Sequence, residues 1–213
     1  ILFVEGQAGV GKSHLFANKS ASLLGANQYA LLLLGGDYFD NSEIQLQIAR
    51  NLQLQYSFQE FIDILELWGK ENECKVPIFI DALNETWNCE LWKSGLPSII
   101  QKIEKMKYVR LAVSFRKEYK RSLIGEIQTD QIFTIEHRGF LDNSLDAVQQ
   151  FMNYYGITFT PMHFFCSEIT NPLFLTLYCK TYQDGNEVDF LSLYDRVLDK
   201  ANGHIFVALK RHL

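Results

Sequence analysis

Short apolar runs alternate with amphipathic stretches over the first 140 residues of the chain. The apolar runs have the length and β-branched content of strands, and the stretches between them carry apolar residues at three- and four-residue spacing. The predicted strands are Ile1–Val4, Tyr29–Leu34, Val76–Ile80, Tyr108–Ser114 and Gln131–Ile135. The predicted helices are Lys12–Leu24, Glu43–Leu52, Phe58–Lys70 and Ser98–Met106. This alternation predicts βαβ units and an α/β fold with a mostly parallel sheet.

After Phe140 the pattern becomes helical throughout. Leu145, Val148, Phe151 and Met152 share one helical face, with Asp142 or Asn143 as a candidate cap. The segment NPLFLTLYCKTY begins with Asn171 and Pro172, the residue types preferred at a helix start, and helical periodicity continues in DFLSLYDRVLDKA and HIFVALKRHL. We therefore predict an α/β domain over residues 1–140 and a small helical domain over residues 141–213.

Composition narrows the class of protein. The chain has 213 residues, 47% hydrophobic residues and a net charge of −5, which is typical of a globular protein and argues against a nucleic-acid coat. No apolar run approaches the ~20 residues that cross a bilayer. Cys74, Cys89, Cys166 and Cys179 lack zinc-ligand spacing, so we predict reduced thiols in a cytoplasmic protein, with a disulfide as the alternative. The chain opens directly on the strand ILFVEG, which indicates a piece of a longer polypeptide.

The segment GQAGVGKS, residues 6–13, matches the phosphate-binding pattern G-x-x-x-x-G-K-S/T between a predicted strand and a predicted helix. Glycines allow backbone N–H groups to turn toward phosphate, and the helix adds its positive amino end. Lys12 is predicted to reach the β- and γ-phosphates, and the Ser13 hydroxyl to bind Mg²⁺. A flexible glycine turn with an incidental lysine is the alternative. The predicted nucleotide-binding residues of this segment are Gly6, Gly9, Val10, Gly11, Lys12, Ser13 and His14.

The third predicted strand ends in the sequence IDALNE, residues 80–85. In P-loop proteins an aspartate at a strand end holds Mg²⁺ beside the phosphate loop, and Asp81 has that position. Glu85 is predicted to polarise the attacking water, and Asn84 to orient that water or the γ-phosphate. The alternatives are a helix cap without metal for Asp81 and a surface-loop acid for Glu85.

Two further positions are candidates. The apolar strand before Arg116 delivers this residue to the carboxyl edge of the sheet, where ligands of open α/β sheets bind, so Arg116 is predicted to sense the γ-phosphate. The residues after it, Lys117 to Arg121, have the pattern of a solvated basic stretch followed by a helix. Pro172 at a helix start is by itself an ordinary first-turn proline.

These motifs, in this order, resemble the STAND class of signal-transduction ATPases, which includes the NACHT proteins. The closest resemblance is to the bacterial antiviral members, through Leu31–Gly35 followed by Phe39, through IDALNE, and through NPLFL, from Ile1 to about Lys180. The P-loop is widespread, whereas IDALNE combined with NPLFL is much more specific.

The resemblance implies ATP and Mg²⁺ as ligands, a five-stranded P-loop sheet of order 5-1-4-3-2, and a helical lid. It implies that Arg116 is the sensor arginine and that Pro172 contacts adenine. Hydrolysis is expected to be slow and regulatory, because Asn84 stands where the broader NACHT pattern often has a second acid. His204 and His212 lie near the end of the chain, and neither is assigned to the nucleotide-contacting histidine of a following winged-helix domain.

Proteins of this class are switches that oligomerise with ATP after a sensor domain recognises a ligand. The expected partners are therefore ATP or ADP, other copies of the protein, and a trigger such as a phage protein bound by a sensor outside this chain. Neither a membrane nor nucleic acid is an expected partner of this module. The alternatives are an AAA+-like ATPase acting on DNA, for which no DNA-contacting insertion is evident, and a small-molecule kinase, for which no acceptor site is evident.

Overall fold

The computed structural model describes residues 1–124, 131–141, 144–158 and 167–182. The chain divides into two compact units, Ile1–His137 and Arg138–Leu213. Several sequence-based predictions lie outside the described residues: the caps Asp142 and Asn143, Cys166, the two last helices, His204 and His212. The functional assignment of the two domains stays a prediction.

The first unit is built on five parallel strands, and all five predicted strands are confirmed with small shifts at their ends. They are β1 (Leu2–Gly6), β2 (Leu31–Leu34), β3 (Val76–Asp81), β4 (Val109–Arg116) and β5 (Phe133–Glu136). Their order in the sheet is β2-β3-β4-β1-β5, and every pairing is parallel. Read from the other edge this is the order 5-1-4-3-2 that the resemblance implied. The fold is that of a P-loop NTPase.

Helices cover both faces of this sheet. They are α1 (Lys12–Gly25), α2 (Ile44–Asn51), α3 (Phe58–Glu71), α4 (Glu90–Glu104) and α5 (Lys120–Ile124). One face carries a cluster in which Phe16 of α1 packs with Val4, Phe79 and Ala112. The opposite face carries the larger core, in which α2 to α5 pack on alternate strand residues such as Phe115 and Val113. Because both faces are covered, β3 and β4 are buried almost along their whole length, as their apolar sequences predicted.

The helix α4 begins eight residues before its predicted start, at Glu90 instead of Ser98. The prediction was wrong because Gly95 and Pro97 both disfavour a helix interior. In the structure Trp92, Leu96 and Ile99 lie on one face of this helix and are fully buried. Burying side chains of this size contributes about 1.5–3 kcal/mol each, which outweighs the local preference against a helix.

The described part of the second unit contains α6 (Ser144–Tyr154), a short 3₁₀ helix (Ser167–Thr170) and α7 (Pro172–Thr181). Its core consists of Val148, Met152, Ile157, Ile169, Phe174, Leu175, Tyr178 and Cys179. The predicted cap is confirmed, because the Asn171 side chain accepts hydrogen bonds from the backbone of Leu173 at 3.0 Å and Phe174 at 3.3 Å. Leu145 was predicted on the buried face of α6 but is 51% exposed, because it lies in the first turn.

Candidate functional site

The loop between β1 and α1 has the backbone conformation expected of a phosphate cradle. Gly9 and Gly11 both have positive φ, at 74° and 102°, a region that side chains other than glycine adopt only with strain. Gly11 is the N-cap of α1, and having no side chain it offers no capping oxygen to the N–H groups of the first turn. The sequence therefore builds an amino-terminal helix end whose donors suit an anion.

The first glycine of the loop is required by close packing. A Cβ on Gly6 would lie 2.4 Å from the carbonyl oxygen of His137, the residue that follows β5. The backbone N–H of His137 also donates to the carbonyl of Glu5 at 2.7 Å. The end of β5 thus lies directly against the start of the loop, so that any side chain at position 6 would push the two apart.

Lys12 is buried at the end of this loop, with an exposed fraction of 9%. Its Nζ donates to the carbonyl oxygens of Gly6 at 2.9 Å and of Gln7 at 2.7 Å. These bonds satisfy an ammonium group that would otherwise be costly to bury. These bonds also hold the Lys12 side chain against the P-loop, where it is predicted to bind phosphate.

The electrostatics around Lys12 show which groups converge on it. Burial is the largest cause that lowers the pKa of Lys12, and the positive charge of Arg116 lowers it further. The carboxylates of Asp81, Glu118 and Glu85 act in the opposite direction. Residues that lie 69 to 106 positions from Lys12 in the sequence therefore share one electrostatic environment with it.

Asp81 ends β3 and is 4% exposed. The hydroxyl of Ser114, a fully buried residue of β4, donates to Asp81 Oδ1 and accepts from the backbone N–H of Ala82 at 2.8 Å. Ser114 thus holds the carboxylate and the following turn in place. A fixed carboxylate with a P-loop hydroxyl, Ser13, is an oxygen donor set that suits Mg²⁺. Among the described residues there is no cluster of three His, Cys, Asp or Glu side chains that could hold a metal.

The turn after Asp81 separates the roles of Asn84 and Glu85. Residues Leu83–Glu85 form a 3₁₀ helix, and the Asn84 side-chain oxygen accepts from the backbone N–H of Arg116 at 2.9 Å. Glu85 is exposed, and its Oε2 lies 4.0 Å from the position that a Cβ on Gly36 would occupy. Asn84 therefore ties the turn to β4, while the carboxylate of Glu85 faces the end of β2.

The same turn depends on close approach of two backbones. Ala82 adopts a left-handed conformation, with φ 54° and ψ 53°, and its carbonyl lies against Gly35, the residue after β2. A Cβ on Gly35 would lie 2.2 Å from the Ala82 oxygen and 3.1 Å from that of Asp81. The carbonyl of Gly35 also accepts from the Thr86 hydroxyl at 2.9 Å. Glycine at position 35 is thus needed for the turn that carries Asp81 and Glu85.

We expect Gly35→Ala to destabilise the fold by about 1–3 kcal/mol, because a methyl group must displace backbone and not a flexible side chain. The midpoint of chemical denaturation measures this change. The matched control is Gly25→Ala at the end of α1, where a Cβ meets nothing within 4 Å and alanine favours the helix. An unchanged midpoint for Gly35→Ala, equal to that of the control, would contradict the packing argument.

Arg116 lies where the sequence placed it. It ends β4, pairs in register with Gly6 of β1, and is half-buried at the carboxyl edge of the sheet. The basic residues after it were predicted to be a solvated stretch followed by a helix, and this is confirmed, because Lys117, Lys120 and Arg121 are exposed and α5 begins at Lys120. Lys117 binds Glu136 at 3.0 Å, and Lys120 binds Glu5 at 2.7 Å.

Sequence reasoning missed the contributions of Glu5, Ser114, Lys120 and His137 to this region. The position of Glu5 inside the apolar strand LFVEG could have indicated a buried ion pair, because a buried carboxylate needs a partner. Its partner Lys120 is 115 positions away, which the sequence pattern does not disclose.

Pro172 lies in the second unit, where its ring packs against Gly139. A Cβ on Gly139, which has φ 67°, would lie 2.9 Å from Pro172 Cδ. The backbone N–H of Phe140 donates to the carbonyl of Thr170 at 3.2 Å, next to this contact. The NPLFL segment is therefore joined to the segment that enters the second unit. The contact of Pro172 with adenine stays a prediction.

The loop, the sheet order and the placement of Lys12, Asp81 and Arg116 at one sheet edge define a P-loop nucleotide-binding fold. The chain is similar to Cdc6p from Pyrobaculum aerophilum, at 15% identity and a TM-score of 0.41 over 62% of this chain and 38% of that chain. It is similar to the ORC2 protein of Aeropyrum pernix in its ADPNP-ADP complexes, at 12% identity and a TM-score of 0.46 over 65% and 42%. It is also similar to a chain of Drosophila ORC bound to AT-rich DNA and Cdc6, at 11% identity and a TM-score of 0.42 over 99% and 73%.

The chain spans about two fifths of the length of the first two of these proteins. No protein-family model and no curated protein matches the chain. Within the described ranges, no helix has the length and apolar character needed to cross a membrane.

Proposed function

We propose that this chain is an ATP-binding and ATP-hydrolysing regulatory module. The observation that carries the proposal is the convergence of three side chains at the carboxyl edge of adjacent strands: Lys12 after β1, Asp81 on β3 and Arg116 on β4. This edge is where open α/β sheets bind ligands, and the P-loop lies there. A phosphate chain in the loop would meet two cations and one fixed carboxylate.

Each residue has a distinct task in this proposal. Backbone N–H groups of the P-loop bind the β-phosphate, and Lys12 exchanges its bonds to Gly6 and Gln7 for phosphate oxygens. When bound, Mg²⁺ would supply positive charge that offsets the negative charge of the phosphates. Ser13 and Asp81 would hold this ion, and Ser114 orients Asp81 through its hydroxyl.

Two further residues act on the terminal phosphate. Arg116 lies level with Gly6, which suits contact with the γ-phosphate and loss of that contact after hydrolysis. Glu85 is the proposed base or water-orienting residue, because its carboxylate accepts a proton and the Asn84 amide does not. The backbone N–H of Arg116 donates to Asn84, which joins the end of β4 to the turn after β3. Movement of Arg116 would therefore shift the turn that carries Glu85.

The class of switch is argued from the resemblance. IDALNE and NPLFL together point to a STAND-type signalling protein of bacterial antiphage defence, in which ATP supports oligomerisation in the cytoplasm. The trigger would be bound by a sensor domain of such a signalling protein. Slow hydrolysis fits such a switch, since the ATP state must persist while the assembly signals.

We expect Asp81→Asn to lose most of the Mg²⁺-dependent part of ATP binding, because a neutral amide is a much poorer ligand for the ion. Calorimetric titration with ATP, with and without Mg²⁺, measures this part directly. The control is Asp63→Asn on α3, which makes the same chemical change at an exposed carboxylate paired with Lys102. If Asp81→Asn binds ATP with the same Mg²⁺ dependence as wild type, Asp81 does not bind the metal and has only a structural role at the end of β3.

The assembly part of the proposal has its own test. Size measurements in ATP, in ADP and in ATP with DNA distinguish a nucleotide-driven switch from a DNA-acting AAA+-like ATPase, which shares the fold. Growth in size with ATP alone supports the switch. Growth that requires DNA supports the alternative, and phosphate transfer to an added small-molecule acceptor would support a kinase.

A further inference from the structure

His137 is held against the P-loop by its backbone. Its N–H donates to Glu5 at 2.7 Å, and its carbonyl oxygen lies 2.4 Å from the position that a Cβ on Gly6 would occupy. Glu5 and Gly6 are the last two residues of β1, immediately before the loop. Position 137 therefore cannot move without moving the start of the P-loop.

The imidazole of His137 lies beside the other end of the same loop. Its Nε2 is 3.8 Å from the position that a Cβ on Gly11 would occupy, so the ring lies next to the N-cap of α1. Burial lowers the pKa of His137, and the positive charge of Lys12 lowers it further. The imidazole is thus close enough to Lys12 for an electrostatic interaction between them.

We propose that His137 is a further nucleotide-binding residue, whose Nε2 binds a phosphate oxygen of a nucleoside diphosphate or triphosphate in the P-loop. Four features lie around the same space: the backbone donors of the loop, the amino end of α1, the Lys12 ammonium and the His137 ring. The inference rests on the proposed function, because it requires nucleotide in the loop.

The charges around His137 determine its protonation. Lys12, from α1, is a cation close enough to lower the pKa of His137. Glu5 on β1 and Glu136 on β5 are its acidic neighbours, and their carboxylates bind Lys120 and Lys117 respectively. Arg138 follows it in the chain. Burial and the charge of Lys12 both lower the pKa of His137 and so favour the neutral imidazole in the free protein.

A bound phosphate chain reverses this balance, because a nearby polyanion favours the imidazolium form. The pKa of His137 in the complex should then lie above its pKa in the free protein, and binding should take up a proton between the two values. The contribution of His137 to affinity is complete below the free pKa and is lost as pH rises through the bound pKa. Each unit that separates the two values corresponds to about tenfold in affinity.

The experiment is calorimetric titration of the chain with Mg·ADP in two buffers of different ionisation enthalpy, which yields the number of protons taken up. Wild type is compared with His137→Asn, so that protons taken up by the nucleotide itself cancel. We expect wild type to take up a larger fraction of a proton near pH 7. We also expect His137→Asn to bind about tenfold more weakly near pH 6 and as well as wild type near pH 8.5.

Two further variants keep the test decisive. His137→Lys places a permanent cation at the position, so it should retain tight binding while losing the extra proton uptake, and this outcome does not depend on how His137→Asn folds. His14→Asn removes the other described histidine of the loop region, and the extra proton uptake should persist in it whatever happens to affinity. Melting temperatures of all variants report on folding.

Equal proton uptake in wild type and His137→Asn would overturn the inference and leave the proposed function intact. An affinity loss of the same size at every pH would also overturn it, since it would show a packing role. Absence of any nucleotide binding by wild type would overturn both the inference and the proposed function.

Discussion

Glu85→Gln should slow ATP hydrolysis by about 10²–10⁴-fold while leaving ATP affinity nearly unchanged. The factor is that of general-base catalysis, which the amide of glutamine does not provide at neutral pH. The substitution keeps the shape of the side chain, and Glu85 is exposed, so the fold should be unaffected. Single-turnover hydrolysis, with enzyme in excess over radiolabelled ATP, measures the chemical step.

The structure sharpens this prediction through Asn84. Its side-chain oxygen already accepts a hydrogen bond from the backbone N–H of Arg116 at 2.9 Å, so Asn84 holds the turn to β4. Asn84→Ala should therefore cost less, about tenfold, through lost orientation of the turn. Wild-type single-turnover rates for Glu85→Gln would sink the assignment of Glu85. A greater loss for Asn84→Ala than for Glu85→Gln would move the catalytic role to position 84.

Lys12→Ala should weaken the binding of Mg·ATP by about ten- to hundredfold, because it removes a charge-assisted contact worth roughly 1.5–3 kcal/mol. Burial and the positive charge of Arg116 lower the pKa of Lys12, and the carboxylates of Asp81, Glu118 and Glu85 act in the opposite direction. Removing the ammonium also leaves the carbonyls of Gly6 and Gln7 without this donor. Calorimetry with Mg·ATP measures the loss.

The control for this prediction lies on the same helix. Lys19→Ala removes an exposed lysine of α1, seven residues away, and changes the net charge by the same amount. Unchanged affinity in a folded Lys12→Ala protein, as in the control, would refute a phosphate-binding role for Lys12. A loss of equal size in both variants would mean that only general electrostatic attraction is involved.

The strands could be predicted because each is a run of consecutive apolar residues, which is visible in the local sequence. Val76–Asp81 and Val109–Arg116 are buried on both faces, and such strands appear in sequence as nearly unbroken apolar runs. The start of α4 was not predictable, because Gly95 and Pro97 argue locally against a helix. A Cβ on Gly95 would lie 2.2 Å from Ile44 Cγ2, so glycine is required there by a residue of α2 that is 51 positions away.

The residues of the candidate site also fall into two groups, those that the sequence pattern predicted and those that it did not. The P-loop and Asp81 were identified from sequence because their spacing and strand-end positions encode the chemistry locally. The hydroxyl of Ser114 on Asp81 was not, because serine inside the apolar run VRLAVSFR carries no sign of its partner. The same holds for Lys120 on Glu5, which are brought together only when α5 packs beside the end of β1.

The sequence by itself determined the strands, the phosphate loop, the strand-end carboxylate and the cap of α7, because each follows from residues within about one turn or one strand. Only the tertiary structure decided that Asn84 holds its turn to β4, that position 35 must be glycine, and that His137 lies beside the P-loop. Parallel strands bring distant segments to one edge through long crossover connections. Contacts at that edge therefore depend on strand order and register, which the local pattern does not contain.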